Sequence, residues 1–476
     1  MKRFWKYFFI VILFLLGLIC VGVLYLFFSH RALFGLQYIS YHETKTVLVD
    51  VDSSFDTIAL NSRSYDISVS ETSSNQIKLD VNNNSFGFVL VKNSKVNIST
   101  SIKDGILTIN ISEPYGACLK NGSAIEMLVP KSFNYNLKIN NKSATTNLNS
   151  GDINNLTYST ISGNLNLKGV SVNGAIDLNL NKADFIINDN TITNNNDINL
   201  NISTGKFDTT KTSLGKITIS SNERGVIIIG NCENLFSEVK GSTGGRIEAN
   251  EIGQVKFEGT STNISIAKVT AGAVIHLNNS NGKIAIQELN GSDSLLHTNS
   301  GDIYIGQAND NLVLRTDSGN ITVNKAFQTI DVASESGETI INFDSLAESN
   351  KTNSNARKLI AELNNGSLKV DGVENLSITV NGNCSTRVNM KDVSGVNEIK
   401  SNSGSVFVKI DSQAVYTLKT SSDINAVRVN LTQIPEYNGY TTNLERVTNV
   451  NSDVEQANKL TVFTKNASLT ILDTNF

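Results

Sequence analysis

Carboxylates that bind a cation or cleave a polysaccharide on a repetitive β structure have to stack on one face of adjacent turns. Small residues, usually Gly, recur at near-regular intervals along the chain and mark predicted turns, and they are followed by a polar residue. The position directly after each turn therefore tests for such a stack. The residues in that position include Asp184, Lys206, Arg246, Asn263, Lys283, Asp302, Asn320, Glu338, Arg387 and Asp423. Acidic and basic residues are interspersed there. The position therefore indicates a solvated face and predicts no carboxylate-lined site.

Metal-binding residue types show no ligand spacing either. The paired glycines of calcium-binding β-helices are represented by Gly244-Gly245 alone, which is followed by Arg246 and not by Asp. The four histidines are His30, His42, His276 and His297. The last two precede successive turns and could share a face, but two imidazoles without a third ligand are usually surface residues. The sequence predicts no catalytic, cofactor-binding or metal-binding residue and no cofactor.

The cysteines and the charge exclude further classes of function. Cys118, Cys232 and Cys384 are more than a hundred residues apart and odd in number, so they form no disulfide framework. Cys20 lies inside an apolar run, where it reads as a membrane-buried thiol. No nucleophile elbow, phosphate loop or His-Glu-x-x-His string occurs. A formal net charge of −4 gives nothing to attract nucleic acid.

The N-terminus carries a segment that predicts a membrane anchor. Residues 8–28 contain no charge and would span about 32 Å as a helix, close to the thickness of a bilayer core. Lys2, Arg3 and Lys6 precede them, which predicts a cytoplasmic tail at 1–7 and an extracytoplasmic bulk. A cleaved signal peptide is the alternative, but it would have a shorter apolar region and an A-x-A-like site. The expected location is therefore the plasma membrane, with a single pass.

Two segments separate the anchor from the repeats. Residues 29–46 read as a juxtamembrane linker. Residues 47–140 alternate between apolar and polar, as in Ile106-Leu-Thr-Ile-Asn-Ile, which predicts half-buried strands. We interpret this region as an N-terminal β-strand region or cap, either a separate sheet or the first coils of the repeat region.

Residues 141–432 are self-similar and predict a parallel β-solenoid. The predicted turns fall at Gly163, Ala183, Gly205, Gly225, Gly245, Thr262, Gly282, Gly301, Gly319, Gly337, Gly366, Thr386, Gly404 and Ser422, mostly 17 to 22 residues apart. Apolar residues recur two and four positions after each turn, for example Ile284 and Ile286. Two such columns are expected when about fourteen coils stack and their strands pair in parallel, roughly 4.8 Å apart. Gly or Asn is expected to provide the positive φ at the corners.

Two segments depart from the repeat. The polar insertion 347–358 reads as a loop that leaves the solenoid. Residues 433–476 read as a C-terminal flap, containing Pro435, followed by closing strands. A β-sandwich is the alternative architecture, but it predicts longer repeats and buried Trp, whereas Trp5 is the single tryptophan.

The sequence resembles a known family in three features taken together. They are the anchor, the repeated Ser-Gly-Asp/Asn-Ile turns, and an alternating region that ends in Ile125-Glu-Met-Leu-Val-Pro-Lys-Ser-Phe-Asn-Tyr-Asn-Leu-Lys-Ile. The family is bacterial and consists of membrane-tethered β-strand repeat proteins, which are labelled "putative adhesin" or domain of unknown function. The resemblance covers residues 47–476. It implies an extracytoplasmic, non-enzymatic solenoid and supplies no catalytic residues.

The expected function is structural or adhesin-like binding at the cell surface, with cell-wall or glycan polymer or another surface protein as partner. Two alternatives stay open. One is a carbohydrate-active lyase or hydrolase on the same solenoid, which needs clustered acids. The other is a self-assembling envelope scaffold, in which exposed coil edges associate end to end.

Overall fold

One apolar helix begins the chain, and β-strands make up the regular structure after it. The computed structural model describes residues 2–29, 31, 36–90, 95–113, 116–120, 122–187, 196–238, 244–344, 357–423, 427–432, 439–441, 443–447 and 458–474. The predicted loop 347–358 lies almost wholly outside these residues, as does most of the predicted flap, including Pro435. The chain forms two compact units, residues 1–199 and 200–476.

The elements of the first unit are α1 (Lys2–Ser29), β1 (Leu36–Asp50), β2 (Thr57–Ser62), β3 (Asp66–Thr72), β4 (Gln76–Leu90), β5 (Asn97–Lys103), β6 (Ile106–Ser112), β7 (Gly116–Lys120), β8 (Ala124–Pro130), β9 (Tyr135–Asn141), β10 (Thr146–Leu148), β11 (Gly151–Ser162), β12 (Leu165–Leu167), β13 (Val170–Val172), β14 (Ile176–Lys182) and β15 (Phe185–Ile187). Strand β16 (Asp197–Thr204) lies across the boundary between the units.

Helix α1 contains the predicted anchor. Its segment Tyr7–Ser29 is long and apolar enough to cross a membrane. Side chains such as Leu13 and Phe14 are each 67% exposed, so the protein itself does not cover them. An apolar surface of this kind is stable in lipid and costly in water.

The strands after α1 begin earlier than the pattern predicted. Strand β1 pairs antiparallel with β4 from Leu36 opposite Leu90 to Asp50 opposite Gln76, so it includes residues that we assigned to a linker. The long partner strand explains the difference, because it supplies backbone partners for residues whose own alternation is weak. Further along, β2 pairs in parallel with β9, and β3 with β10, whose other neighbour is β12.

The strands of the second unit are β17 (Lys206–Asn222), β18 (Val226–Glu238), β19 (Arg246–Gly259), β20 (Asn263–Val269), β21 (Val274–Asn279), β22 (Ile284–Leu289), β23 (Ser292–Thr298), β24 (Ile303–Ala308), β25 (Leu312–Thr316), β26 (Ile321–Ala326), β27 (Ile330–Ser334), β28 (Glu338–Phe343), β29 (Lys358–Leu363), β30 (Gly366–Val373), β31 (Asn375–Met390), β32 (Val396–Asp411), β33 (Thr417–Ser422), β34 (Val427–Asn430), β35 (Gly439–Thr441), β36 (Asn443–Val447) and β37 (Lys459–Thr474).

Each coil in the middle of this unit contributes two strands, and strands of successive coils pair in parallel. Strands β20, β22, β24, β26, β28 and β30 form what we call the first stack. Strands β21, β23, β25, β27 and β29 form the second stack. In the first stack Ile264 lies opposite Ile284, which lies opposite Ile303. The prediction of a parallel β-solenoid with coils of about 20 residues is confirmed.

The two predicted apolar columns lie inside the first stack. The members at the second position after the turn include Ile264, Ile284, Ile303 and Ile321, and those at the fourth include Ile266, Ile286, Ile305 and Val323, all at most 3% exposed. The second stack contributes a column that the turn pattern did not predict: Leu277, Leu296, Leu314, Val332 and Ala361. The core therefore draws on both strands of each coil.

The predicted register is wrong at two late turns. The corner residue that pairs with Gly366 and with Gly404 is Cys384, two residues before the predicted turn at Thr386. Ser422 is the last residue of β33 and pairs with Thr464, which also pairs with Ser401, three residues before the corner at Gly404. Polar residues at these positions look like turn residues in the sequence, but the ladder hydrogen bonds fix which residue lies at the corner.

Thr339 occupies a column position where its neighbours Ile321 and Leu368 are aliphatic. Its side chain is fully buried, and its hydroxyl has no hydrogen-bond partner. Thr339→Val replaces that hydroxyl with a methyl group, so we expect the local free energy of unfolding to rise by about 1 kcal/mol. Hydrogen exchange of amides in β26, β28 and β30 measures this change.

The matched control is Thr298→Val. Thr298 is equally buried, but its hydroxyl donates to the carbonyl of Gly301 and lies 3.2 Å from the Thr316 hydroxyl. The same substitution should lower stability there by about 1 kcal/mol, because a buried carbonyl loses its partner. Equal effects at both positions would contradict the assignment of Thr339 as an unsatisfied column residue.

Candidate functional site

The polar position that follows each turn is a mixed, solvated face. Lys283 and Asp302 are neighbours there, with Nζ and Oδ2 3.2 Å apart. The backbone N–H of Asn320 donates to Asp302 and lowers the pKa of that carboxyl, and Lys283 lowers it further while partial burial acts in the opposite direction. The charges of Lys283 and Asp302 are therefore partners of opposite sign, so these two neighbouring coils do not place two carboxylates next to each other on this face.

The cysteines with described side chains do not present a reactive thiol on the solenoid. Cys232 and Cys384 are buried and unpaired. Burial raises the pKa of the Cys232 thiol to about 11, and it also raises that of Cys384. Cys20 lies exposed on α1, and the side chain of Cys118 lies outside the part of the chain that the structure describes. A thiol held in its protonated form is a poor nucleophile.

The histidines of the repeat region lie on one face, as the sequence suggested. His276 is on β21 and His297 on the neighbouring β23, where His276 lies opposite Leu295 and His297 lies opposite Asn278. Both imidazoles point outward from the second stack. His42 is on β1, and His30 is outside the described residues.

These two histidines lie in a surface groove of about 310 Å³ on the outer face of the second stack. We call it the histidine groove. Its lining residues are Lys256, Phe257, Glu258, His276, Leu277, Asn278, Leu295, His297 and Arg315. They come from β19, β21, β23 and β25, four successive strands. The volume is at the lower end of the range for small-ligand sites.

Hydrogen bonds fix one side of the groove. His297 Nδ1 lies 2.9 Å from Asn278 Oδ1. An amide oxygen only accepts, so with this amide orientation Nδ1 carries the proton and Nε2 of the neutral ring is an acceptor. Arg315 is held by Asp331, with Nη1 and Oδ1 2.9 Å apart, and by the Leu314 and Asp331 carbonyls.

Other polar groups of the groove are open to a ligand. Lys256, Glu258 and His276 are exposed. They add an ammonium group that donates hydrogen bonds, a carboxylate that accepts them, and an imidazole that can donate or accept. Leu295 adds an apolar contact, 38% exposed. This mixture of donors and acceptors with one apolar residue suits a polyhydroxylated ligand.

The same geometry offers little for metal or hydrolytic chemistry. No group of three His, Cys, Asp or Glu suited to a metal ion occurs among the residues that the structure describes. Glycoside hydrolysis uses a pair of carboxyl groups on either side of the scissile bond. Within the described lining, Glu258 is the single carboxylate.

Sequence reasoning identified two of the groove residues and missed the others. It placed His276 and His297 relative to the turns but assigned no register to the second strand of each coil. Lys256, Asn278 and Arg315 therefore stayed unconnected. The signal that would join them is the coil interval itself, since Asn278, His297 and Arg315 are 19 and 18 residues apart.

The fold and groove define the class of the protein: an all-β parallel solenoid preceded by one apolar helix, with a polar groove on one strand face. Residues 55–364, well over half of the chain, match the family model described as Toastrack DUF4097. The chain belongs to the Toastrack DUF4097 family. The resemblance to a domain-of-unknown-function family of adhesin-like proteins is confirmed.

Several solved structures are similar to this chain, and the following are three of them. A "putative cell adhesion protein" from Clostridium sporogenes is 9% identical, with 90% of this chain and 98% of that chain covered and a TM-score of 0.15. A "putative adhesin" from Bacteroides fragilis is 14% identical, with 73% and 98% covered and a TM-score of 0.16. Another from Parabacteroides distasonis is 12% identical, with 73% and 98% covered and a TM-score of 0.15. A search of curated proteins found no match.

Proposed function

We propose that this chain is a membrane-anchored, extracytoplasmic, adhesin-like protein that binds a glycan polymer in the histidine groove and performs no catalysis. The observation that carries the proposal is the groove, where polar side chains of four successive strands meet on one outer face. A glycan presents hydroxyl groups that need both donors and acceptors. The histidine groove supplies both.

The solenoid suits a linear ligand because its side chains repeat with the strands. Parallel strands lie about 4.8 Å apart, and equivalent outward residues form rows across them. Lys256, His276 and Leu295 form one such row, and Asn278, His297 and Arg315 form another. A polymer that runs across the strands meets a new pair of side chains at each coil. The backbone pairing fixes their spacing, so little ordering is needed on binding.

The anchor supports the location. The segment Tyr7–Ser29 can cross a membrane, and Lys2, Arg3 and Lys6 on its short N-terminal side favour a cytoplasmic N-terminus. The strands of both units would then lie outside the membrane, where wall polymers and surface glycans are found.

Binding is tested with the full chain in lipid nanodiscs on an array of neutral and anionic linear polysaccharides. We expect at least one polysaccharide to bind, and the double variant Asn278→Ala/His297→Ala to weaken that binding by about tenfold, since each lost hydrogen bond contributes about 0.5–1.5 kcal/mol.

The matched control is Asn324→Ala. Asn324 is also an exposed asparagine bonded to a neighbouring strand, through the Tyr304 hydroxyl at 2.8 Å, but it lies on the first stack. This variant should bind like the original chain. Failure of every polysaccharide to bind, or equal weakening by the control and the groove variant, would overturn the proposal.

A further inference from the structure

Strand β37 is the last strand in the sequence, but it does not lie at the end of the second unit's stack. It pairs in parallel with β32 along its whole length, from Lys459 opposite Val396 to Thr474 opposite Asp411. On its other edge it pairs in parallel with β33 and β34. The C-terminal strand is therefore inserted between two coils that precede it in the chain.

The register shows that the two coils on either side of β37 are aligned with each other, residue for residue, as they would be if they paired directly. Lys459 lies opposite both Val396 and Thr417, and Ile471 lies opposite both Val408 and Val429. Both comparisons give the same step of 21 residues from β32 to the next coil. This step falls within the ordinary coil interval of the repeat. Strands β33 and β34 could thus pair directly with β32, with their inward residues still inward.

The slot holds β37 as an interior strand. Its inward apolar residues, Leu460, Val462, Ala467, Leu469 and Ile471, are fully buried. At its start the Lys459 N–H donates to the Gly395 carbonyl at 2.8 Å, and the Gly395 N–H donates to Asn458 Oδ1 at 2.9 Å. At its end Asp473 accepts from the backbone N–H of Thr432 at 2.5 Å.

The connection to β37 has more length than the return requires. Strand β36 pairs antiparallel with the outer edge of β33, and its last residue, Val447, lies opposite Thr417. Lys459 lies opposite Thr417 on the inner edge. Two strand spacings separate these positions, about 10 Å. Residues 448–458 could reach roughly 36 Å when extended.

We propose that the slot between β32 and the β33–β34 coil also accepts β37 from a second copy of this chain, so that neighbouring copies exchange C-terminal strands. A strand from a second copy makes the same contacts as the chain's own strand, so exchange costs little interaction energy. The number of residues in the connection is enough to let the strand leave. The matched register of the two flanking coils lets an emptied slot close, which lowers the barrier to release.

Exchange is tested by disulfide trapping between two co-expressed, differently tagged full-length copies whose native cysteines are replaced by Ser or Ala. One copy carries Lys400→Cys on β32, and the other carries Phe463→Cys on β37. These residues are exposed and directly opposite in the slot. Opposed residues on adjacent parallel strands are about 4.8 Å apart at Cα, which allows a disulfide.

We expect a linked heterodimer on the order of tenfold more abundant than with the control pair Lys400→Cys and Ser468→Cys, whose residues are not opposite. A chain that carries both Lys400→Cys and Phe463→Cys reports the unexchanged state through an intrachain disulfide. An intrachain disulfide without heterodimer above the control would overturn exchange. Formation of neither would contradict the insertion of β37 and the proposal with it.

Discussion

Gly301→Ala is expected to lower the local free energy of unfolding in the second unit by about 3 kcal/mol. A Cβ atom placed on Gly301 would overlap the carbonyl oxygen of Gly282 in the coil before it, and Gly319 stands in the same relation to Gly301. The obstruction is backbone, so it cannot rotate away. Relief requires the two coils to separate at the corner, which weakens the ladder between β22 and β24.

Gly244→Ala is the control for Gly301→Ala. The nearest atom to a Cβ at Gly244 is the Glu223 carbonyl oxygen at 3.6 Å, an ordinary contact, and Gly244 is not among the glycines with positive φ. We expect no change beyond about 0.5 kcal/mol there. Hydrogen exchange of the flanking strands measures both variants. A loss at Gly301 no larger than that at Gly244 would contradict the close stacking of the corners.

Ile286→Ala is expected to cost about 3–4 kcal/mol, a similarly large effect with a different cause. Ile286 is fully buried in the first stack, between Ile266 and Ile305 of the neighbouring coils. Truncation leaves a cavity that touches both neighbours. Each coil of a solenoid is stabilised chiefly by the coils on either side, so two interfaces weaken together.

The control for this cavity is Gln287→Ala, one residue further along the same strand and exposed. Its side chain points outward, so its removal should change stability by less than about 0.5 kcal/mol. The protection of amides in β20, β22 and β24 reports both variants. Equal protection in Ile286→Ala and Gln287→Ala would show that the aliphatic column is not the main source of stability.

The glycine corners show what the sequence could and could not predict. The recurrence of Gly predicted where most coils turn, but the expected reason, positive φ, holds for Gly337 and Gly366 and not for Gly282, Gly301 or Gly319. At the latter three the carbonyl of the preceding corner leaves no room for a side chain. A contact between coils cannot be seen from one turn, so sequence reasoning found the position and missed its cause.

The corners also carry a recurring pattern of polar residues, which the turn pattern alone did not predict. Buried polar residues lie three positions before several corner glycines, including Asn222, Asn279, Thr298, Thr316 and Ser334. The Asn279 amide donates to the Thr262 carbonyl at 2.6 Å, and the Thr316 hydroxyl accepts from the Gly319 N–H at 2.9 Å. These side chains supply partners for corner backbone groups, which is why polar residues recur inside the core.

The inserted position of β37 lay beyond sequence reasoning for a different reason. Its alternation predicts a strand correctly, and it was expected to close the solenoid. The β33–β34 coil has the same pattern and the regular step of 21 residues from β32. Two segments of equal pattern compete for one neighbour, and periodicity alone cannot say which of them pairs with β32.

Binding of a fluorescent polysaccharide to intact cells that display the full chain tests the central claim most directly. The probe is the polymer that binds the chain in nanodiscs, and antibody labelling of unpermeabilised cells equalises the amount displayed. We predict that cells with the original chain bind the polymer and that cells with Asn278→Ala/His297→Ala bind about tenfold less strongly. Equal binding by both would contradict a glycan-binding function of the histidine groove.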